Sequence, residues 1–307
     1  MASRGLKSLA LGAIIALVLL SAGCSADKPE SKGDVPVASG STGYEVPVNA
    51  IVPQPVFEGT ADTEIDTSCA TRGCVFARCQ NAHRLKFQVL CGDMAYNYDM
   101  PGDGSAICVP VNMGDGSYRF RIMQNTSANN YVELDSVTLD VDLENEFAPY
   151  LLPNVFCSYD GNSACCGLAL DLVGDSDASW KALAAVCDWV TENISYDHAK
   201  AAELSGKTGY VPNPDETLAS RRGICFDYSS LAAAMLRRVG VPAKIVTGYV
   251  NDDIYHAWIM VYVDGEWHTA VFNVLEKTWS RCDVTFAATG GGATIGEGSI
   301  YIDRYTY

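Results

Sequence analysis

Hydrophobic positions in the first half of the chain recur in short runs that alternate with polar positions, a pattern typical of β-strands. The runs are RLKFQVL, AYNYDM, AICVPVNM, YRFRIMQ and VTLDVDL, and the turn sequences PGDG and GDGS lie between them. Asp-Gly steps between alternating runs favour antiparallel hairpins. Residues 45–159 are therefore predicted to form a small β-sandwich.

The apolar period changes to that of a helix after Asp160. The stretch 179–194 predicts an amphipathic helix, and 196–214 is irregular. A second helix is predicted from Cys225 to Arg238, because Gly240 supplies a C-terminal stop. The runs AKIVTGYV, YHAWIMVYV and TWSRCDVTF then predict three strands. We expect an α+β domain over residues 160–307.

The N-terminus has the pattern of an export signal. Arg4 and Lys7 precede an apolar stretch from residue 9 to 20, and small residues lead to Cys24. The segment resembles a bacterial lipoprotein signal, which predicts removal of residues 1–23, lipid on Cys24 and a polar tether over 24–44. The expected location is the outer face of the cell membrane. An ordinary signal peptide or an uncleaved anchor are the alternatives.

Composition narrows the class of protein. The chain has 307 residues, of which 48% are hydrophobic, so a mainly disordered protein is excluded. A net charge of -16 argues against a nucleic-acid partner. Of the 12 cysteines, ten remain if Cys24 carries lipid and Cys225 stays free. We expect disulfides or buried free thiols, since no Cys-x-x-Cys or His pair with zinc spacing is present.

Cys225 opens the second predicted helix, where unpaired backbone N–H groups and the helix dipole favour a thiolate. Gly223 leaves space for a substrate backbone. Taken alone, a half-buried cysteine at the start of an ordinary helix explains this pattern better. His256, on a following strand, changes that reading because imidazole can take and return the thiol proton. Asp283 on the third strand would orient His256 and stabilise its charged form.

Three motifs occur in order in this region. They are Gly223, Cys225, Asp227 and Tyr228 of G-x-C-x-D-Y, His256 and Trp258 of H-A-W, and Trp279, Asp283 and Thr285 of W-x-x-x-D-P-T, with Val284 in place of Pro. Together they resemble the transglutaminase-like superfamily, specifically bacterial lipoproteins with this core. The resemblance implies a papain-like α+β fold, in which the cysteine helix packs on an antiparallel sheet carrying the His and the Asp.

The resemblance also implies roles around the triad Cys225, His256 and Asp283. The backbone N–H of Cys225 becomes an oxyanion donor, and four residues shape the site: Gly223, Asp227, Tyr228 and Trp258. No metal ligands and no organic cofactor are implied, although calcium at acidic loops stays an alternative.

Two residues compete for roles in the triad. Asn273 is an alternative orienter, because an amide serves that role in papain-like proteases. The Trp279–Asp283–Thr285 spacing favours Asp283. His268 is an alternative base, but it follows the Asp264–Gly265 turn and is better explained as an exposed strand residue.

The predicted activity is acyl transfer through a thioester, as in a cysteine peptidase, an amidase or a transglutaminase. Expected partners are proteins or peptides at the cell surface, including wall peptides. The alternative from another class is an inactive adhesion or scaffold protein that uses the fold for binding. A disulfide between Cys225 and Cys282 would also block the site.

Overall fold

The computed structural model describes residues 52–59, 62–174, 179–250, 254–269, 271–273, 278–282 and 301–307. Of residues 250, 254, 271–273, 278–282 and 301–303 it describes the backbone alone. These segments belong to one compact unit. In the part of the chain that is described, no helix is both long enough and apolar enough to span a membrane.

The N-terminal half forms two antiparallel sheets. Its strands are β1 (Thr63–Asp66), β2 (Cys74–Gln80), β3 (Leu85–Cys91), β4 (Met94–Met100), β5 (Asp103–Pro110), β6 (Gly116–Ser127) and β7 (Asn130–Val141). One sheet has the order β1-β2-β5 and the other β4-β3-β6-β7. Short 3-10 helices lie at Ala70–Arg72 and Ala148–Tyr150.

Alternation along the strands builds the core between these sheets. Leu85, Phe87 and Val89 of β3 are buried, and so are Phe120 and Ile122 of β6, while the residues between them are more exposed. Two sheets that pack their apolar faces together make a β-sandwich. The prediction of a small sandwich is confirmed, and β1 and β2 add strands that the alternating runs did not identify.

The described part of the C-terminal half combines five helices, a four-stranded sheet and two pairs of short strands. The helices are α1 (Ala164–Val173), α2 (Ser179–Asn193), α3 (His198–Leu204), α4 (Pro214–Ser220) and α5 (Cys225–Arg238). The strands are β8 (Ser195–Tyr196), β9 (Arg222–Gly223), β10 (Ala243–Val250), β11 (Ile254–Val263), β12 (Glu266–Thr269), β13 (Val271–Asn273), β14 (Thr278–Cys282) and β15 (Tyr301–Thr306). The main sheet has the antiparallel order β12-β11-β10-β15.

Helix α5 is the centre of this half. Every residue from Asp227 to Arg237 is buried, because α1, α2 and α4 cover the helix on one side and β10 and β11 on the other. A helix that is buried on all sides needs small residues for close packing, and Ala232–Ala234 supply them. The predicted arrangement, a cysteine helix on an antiparallel sheet, is present.

Several elements differ from the sequence-based expectation, among them α1, which was not predicted, and three others. Residues 198–204, expected to be irregular, form α3, whose N-cap Asp197 accepts a hydrogen bond from Lys200 N at 3.0 Å. Seven residues are too few for an apolar period to show. Strand β14 pairs with β13 rather than with the His256 strand. Strand β15 pairs with β10 and was not predicted.

Aromatic rings join the two halves. Tyr307 packs against Tyr96, Tyr98 and Phe156, with ring centroids 5.8, 6.1 and 4.5 Å apart. Phe156 in turn lies 5.3 Å from Phe226, the neighbour of Cys225. The sandwich core is thereby in continuous contact with the first turn of α5.

Nine described cysteines besides Cys225 are thiols, and most are buried. Cys74 on β2 lies beside Cys108 on β5, and the hydrogen bond of the protonated Cys108 thiol to Cys74, together with burial, raises the pKa of Cys108. The sequence predicts disulfides or buried free thiols, and in the described part of the chain these nine cysteines are thiols.

Candidate active site

The first turn of α5 places Cys225 at the first helical position. Ile224 before it is extended, and its backbone N–H donates to Oδ2 of Asp227 at 2.8 Å. This bond satisfies one N–H that the helix start leaves without a partner. The Cys225 thiol is half-buried, so a reagent can reach it.

His256 lies on β11 opposite Gly248 of β10, and 6% of its surface is exposed. Because the residue opposite His256 is a glycine, β10 places no side chain directly beside the imidazole. Cys225 and His256 both line one cavity. The structure thus brings together the two residues that the sequence nominated as nucleophile and base.

The cavity has a volume of about 630 Å³, within the range of small-molecule and peptide sites. Aromatic rings line much of it, among them Tyr196, Tyr210, Phe226 and Tyr255. The sandwich contributes Lys86, Asn97 and Asp99 from β3 and β4. Both halves of the chain therefore form the site.

Asp227 organises the polar groups behind Cys225. Its side chain is fully buried and accepts hydrogen bonds from Lys200 Nζ at 2.8 Å, from the Tyr210 hydroxyl and from the Ile224 N–H. Lys200 Nζ also lies 4.5 Å from the centre of the Tyr210 ring. Burial, and then the bond to Asp227, raise the pKa of Tyr210. Each of the three donors is thus fixed by one carboxylate.

Gly223 has a different role from the one expected. A Cβ atom at this position would lie 2.6 Å from the Cβ of Asp227 and 3.1 Å from its Oδ2. The space beside Gly223 is therefore occupied by the Asp227 side chain and not left for a substrate backbone. Glycine is required here because the carboxylate folds back over the start of its own helix.

Tyr228 and Trp258 lie in the interior and not among the described residues that line the cavity. The Tyr228 hydroxyl donates to the Ile194 carbonyl at 2.6 Å and so ties α5 to the end of α2. Trp258 is 1% exposed, packs with Val246, and its ring centre lies 6.5 Å from that of His256. Their influence on the site is through packing.

The remaining predicted residues divide into three groups. His268 lies on β12 with its ring 5.1 Å from that of Trp180, and it is not one of the residues lining the cavity. Asn273 and Cys282 belong to β13 and β14, of which the backbone alone is described. Asp283 and Cys24 lie outside the described residues. The third triad member therefore stays a prediction.

Sequence reasoning missed Lys200 and Tyr210. Both belong to the stretch 196–214, which has no clear periodicity and no recognised motif. They are 27 and 17 residues away from Asp227 along the chain, so spacing gave no signal. The available clue was Asp227 in the first turn of α5, since an acid on a helix that packs into the core needs partners.

The thiol at the start of a helix and the imidazole on the adjacent antiparallel sheet line the same cavity, and this placement agrees with a papain-like fold. Residues 167–270, about a third of the chain, match the sequence model of the transglutaminase-like superfamily. This segment of the chain belongs to that superfamily, and the papain-like fold class is confirmed.

Curated relatives match the same part of the chain. A UPF0252 protein of Archaeoglobus fulgidus is 35% identical over 103 residues, which cover 29% of this chain and 32% of that protein. Human kyphoscoliosis peptidase is 28% identical over 123 residues, which cover 36% of this chain and 17% of the peptidase. The match thus spans about a third or less of these relatives.

Solved structures give more distant similarities. A cysteine protease candidate from Cytophaga hutchinsonii has a TM-score of 0.39 at 18% identity and covers 76% of each chain. Red sea bream transglutaminase has a TM-score of 0.31 at 13% identity, covering 75% of this chain and 49% of that one. The family assignment rests on the sequence match.

Proposed function

We propose that the protein is a thiol acyl-transfer enzyme that cleaves or transfers amide acyl groups through a Cys225 thioester. The observation that carries the proposal is the shared cavity of Cys225, at the start of α5, and His256, on β11. Neither residue type alone is informative, but a thiol and an imidazole that face one cavity form a nucleophile and base pair.

In the first half-reaction the Cys225 sulfur attacks the carbonyl carbon of an amide, and His256 takes the thiol proton. The backbone N–H of Cys225 stabilises the oxyanion. As the C–N bond breaks, His256 returns the proton to the nitrogen, which leaves as an amine or as ammonia. The product is an acyl group on sulfur.

In the second half-reaction water or a second amine attacks the thioester. His256 accepts the proton of the attacking group, the C–S bond breaks, and the thiol is restored. Asp283 is the proposed orienter of His256, on the strength of its motif spacing. Water gives a peptidase or an amidase, and an amine gives a transglutaminase.

The first prediction concerns Cys225. The reduced, folded protein is tested for amide hydrolysis and for incorporation of a labelled amine into a peptide library, before and after alkylation with iodoacetamide. We expect Cys225→Ala, like alkylation of the parent, to lower both activities at least about a thousandfold, because the acyl group is carried on the Cys225 sulfur. His256→Gln should lower them by a similar factor.

Cys91→Ala is the matched control, since Cys91 is another half-buried thiol but lies on β3 of the sandwich. It should leave turnover unchanged. Equal activity of the parent protein and Cys225→Ala would overturn the enzyme proposal and favour the adhesion or scaffold alternative. Release of ammonia with amine incorporation would identify the transglutaminase branch.

We also propose that the protein is lipid-anchored through Cys24 at the outer face of the cell membrane, where surface proteins and wall peptides are its substrates. The support is the N-terminal signal pattern. A fatty-acid probe should label the parent protein in cells and should not label Cys24→Ala, which should also leave the membrane fraction. Equal labelling of the two proteins would contradict the anchor.

A further inference from the structure

Asp227 carries a fully buried carboxylate two residues after the nucleophile in α5. An unpaired carboxylate in the helical turn that carries Cys225 would make a thiolate there less favourable, because like charges repel more strongly where water is excluded. The site needs a counter-charge for Asp227, and Lys200 supplies it at 2.8 Å.

Hydrogen bonds at the start of α3 fix the backbone of Lys200 close to Asp227. Its backbone N–H donates to Asp197 at 3.0 Å, and the Asp197 N–H donates to the Gly223 carbonyl at 2.8 Å. Arg222 adds an ion pair to Asp197 at 3.2 Å. The start of α3 is thereby bound to the residues directly before Cys225.

Tyr210 connects the same carboxylate to the cavity. Its hydroxyl donates to Asp227 while its ring lines the cavity beside Cys225 and lies 6.5 Å from the ring of Phe226. The position of this part of the cavity wall therefore depends on the Asp227 network.

We propose that Lys200 and Tyr210 are positioning residues of the thiol site: they hold and neutralise Asp227 and thereby keep Cys225 reactive and the cavity wall in place. This inference rests on the proposed function as far as catalysis is concerned. The reactivity of the Cys225 thiol, however, can be measured by alkylation without any turnover of substrate.

Several other charged or titratable groups line the same cavity as Cys225. They are His256 and Tyr255 of β11, Lys207 after α3, Tyr196 of β8, Tyr305 of β15, Tyr307 after β15, and Lys86 and Asp99 of the sandwich. Lys86 and Asp99 form their own ion pair at 2.8 Å. A test must change Lys200 and leave these groups in place.

The test measures the rate of Cys225 alkylation by iodoacetamide against pH in the full-length folded protein. In Lys200→Met we expect the pH of half-maximal rate to rise by about one unit and the rate at neutral pH to fall about tenfold. Lys200→Arg should restore the rate to within about twofold, because the charge returns. Tyr210→Phe keeps the ring, removes one donor and should lower the rate about threefold.

Lys181→Met is the matched control. Lys181 is an exposed lysine of α2 and is not among the described residues that line the cavity, so its removal should leave the alkylation profile unchanged. If Lys200→Met has the same alkylation profile as the parent and only a lower melting temperature, the role of Lys200 is purely structural. That result would overturn the inference. If Lys200→Met does not fold, Tyr210→Phe decides in the same way.

The two proposals fail in different ways. If the parent protein turns over no amide while Lys200→Met shifts the alkylation profile, the proposed function fails and this inference stands. If the parent is active and the profile does not shift, this inference fails and the enzyme remains.

Discussion

Burial determines the chemistry of single side chains in this protein. Asp227, fully buried, takes hydrogen bonds from three donors, and the half-buried Cys225 stays accessible beside it. Cys157 shows the opposite outcome for a thiol. It has no exposed surface, and burial raises its pKa from an ordinary 9.0 to about 11.

The raised pKa of Cys157 predicts a loss of stability in alkali. The folded state keeps the thiol proton more tightly than the unfolded state, so this contribution is complete below pH 9.0 and is lost as the pH rises towards about 11. The loss is up to about 3 kcal/mol for this group. Urea unfolding at several pH values measures it.

Cys157→Ala provides the comparison for that experiment. The variant starts from a lower stability because of the cavity it leaves, but its free energy of unfolding should fall less steeply over this pH interval than the parent's. Parallel curves would contradict the assignment to Cys157. Tyr150, whose pKa burial raises to about 12, adds a further loss at higher pH in both proteins.

At the scale of elements, long periodic segments were predictable and short ones were not. Residues 179–193 of α2 and 225–238 of α5 show an apolar period over three or more turns, and both helices agree with the expectation. Strands β10 and β11 were equally clear. Helix α3, with no buried residue, has no apolar face to detect.

The site followed the same division. Cys225 and His256 belong to strong local motifs, so their types and elements were predictable from the sequence. The contribution of α3 to the site was not predictable. It depends on the contact of Lys200 with Asp227, and these two residues are 27 positions apart along the chain. The role of Gly223 was also hidden, since the direction in which the Asp227 side chain folds is a property of packing.

For the whole molecule, Arg237 joins three distant segments of the chain around α5. Its guanidinium is buried on α5 and donates to Ala243 O at 2.9 Å, to Leu152 O at 2.7 Å and to Tyr307 O at 2.9 Å. These three carbonyls belong to the start of β10, to the segment that follows the sandwich and to the residue after β15. One side chain thus joins the parts of the chain that surround the site.

Arg237→Met is therefore expected to lower the free energy of unfolding by about 2 to 4 kcal/mol, because three carbonyls lose a charged donor while the volume is nearly kept. Arg237→Lys should recover part of this loss, since an ammonium cannot reproduce the spread of three guanidinium bonds. Urea unfolding followed by fluorescence measures both. Lys181→Met, at an exposed position of α2, is the control and should unfold like the parent. An unchanged midpoint in Arg237→Met would show that the three bonds of the guanidinium add nothing to the stability of the fold.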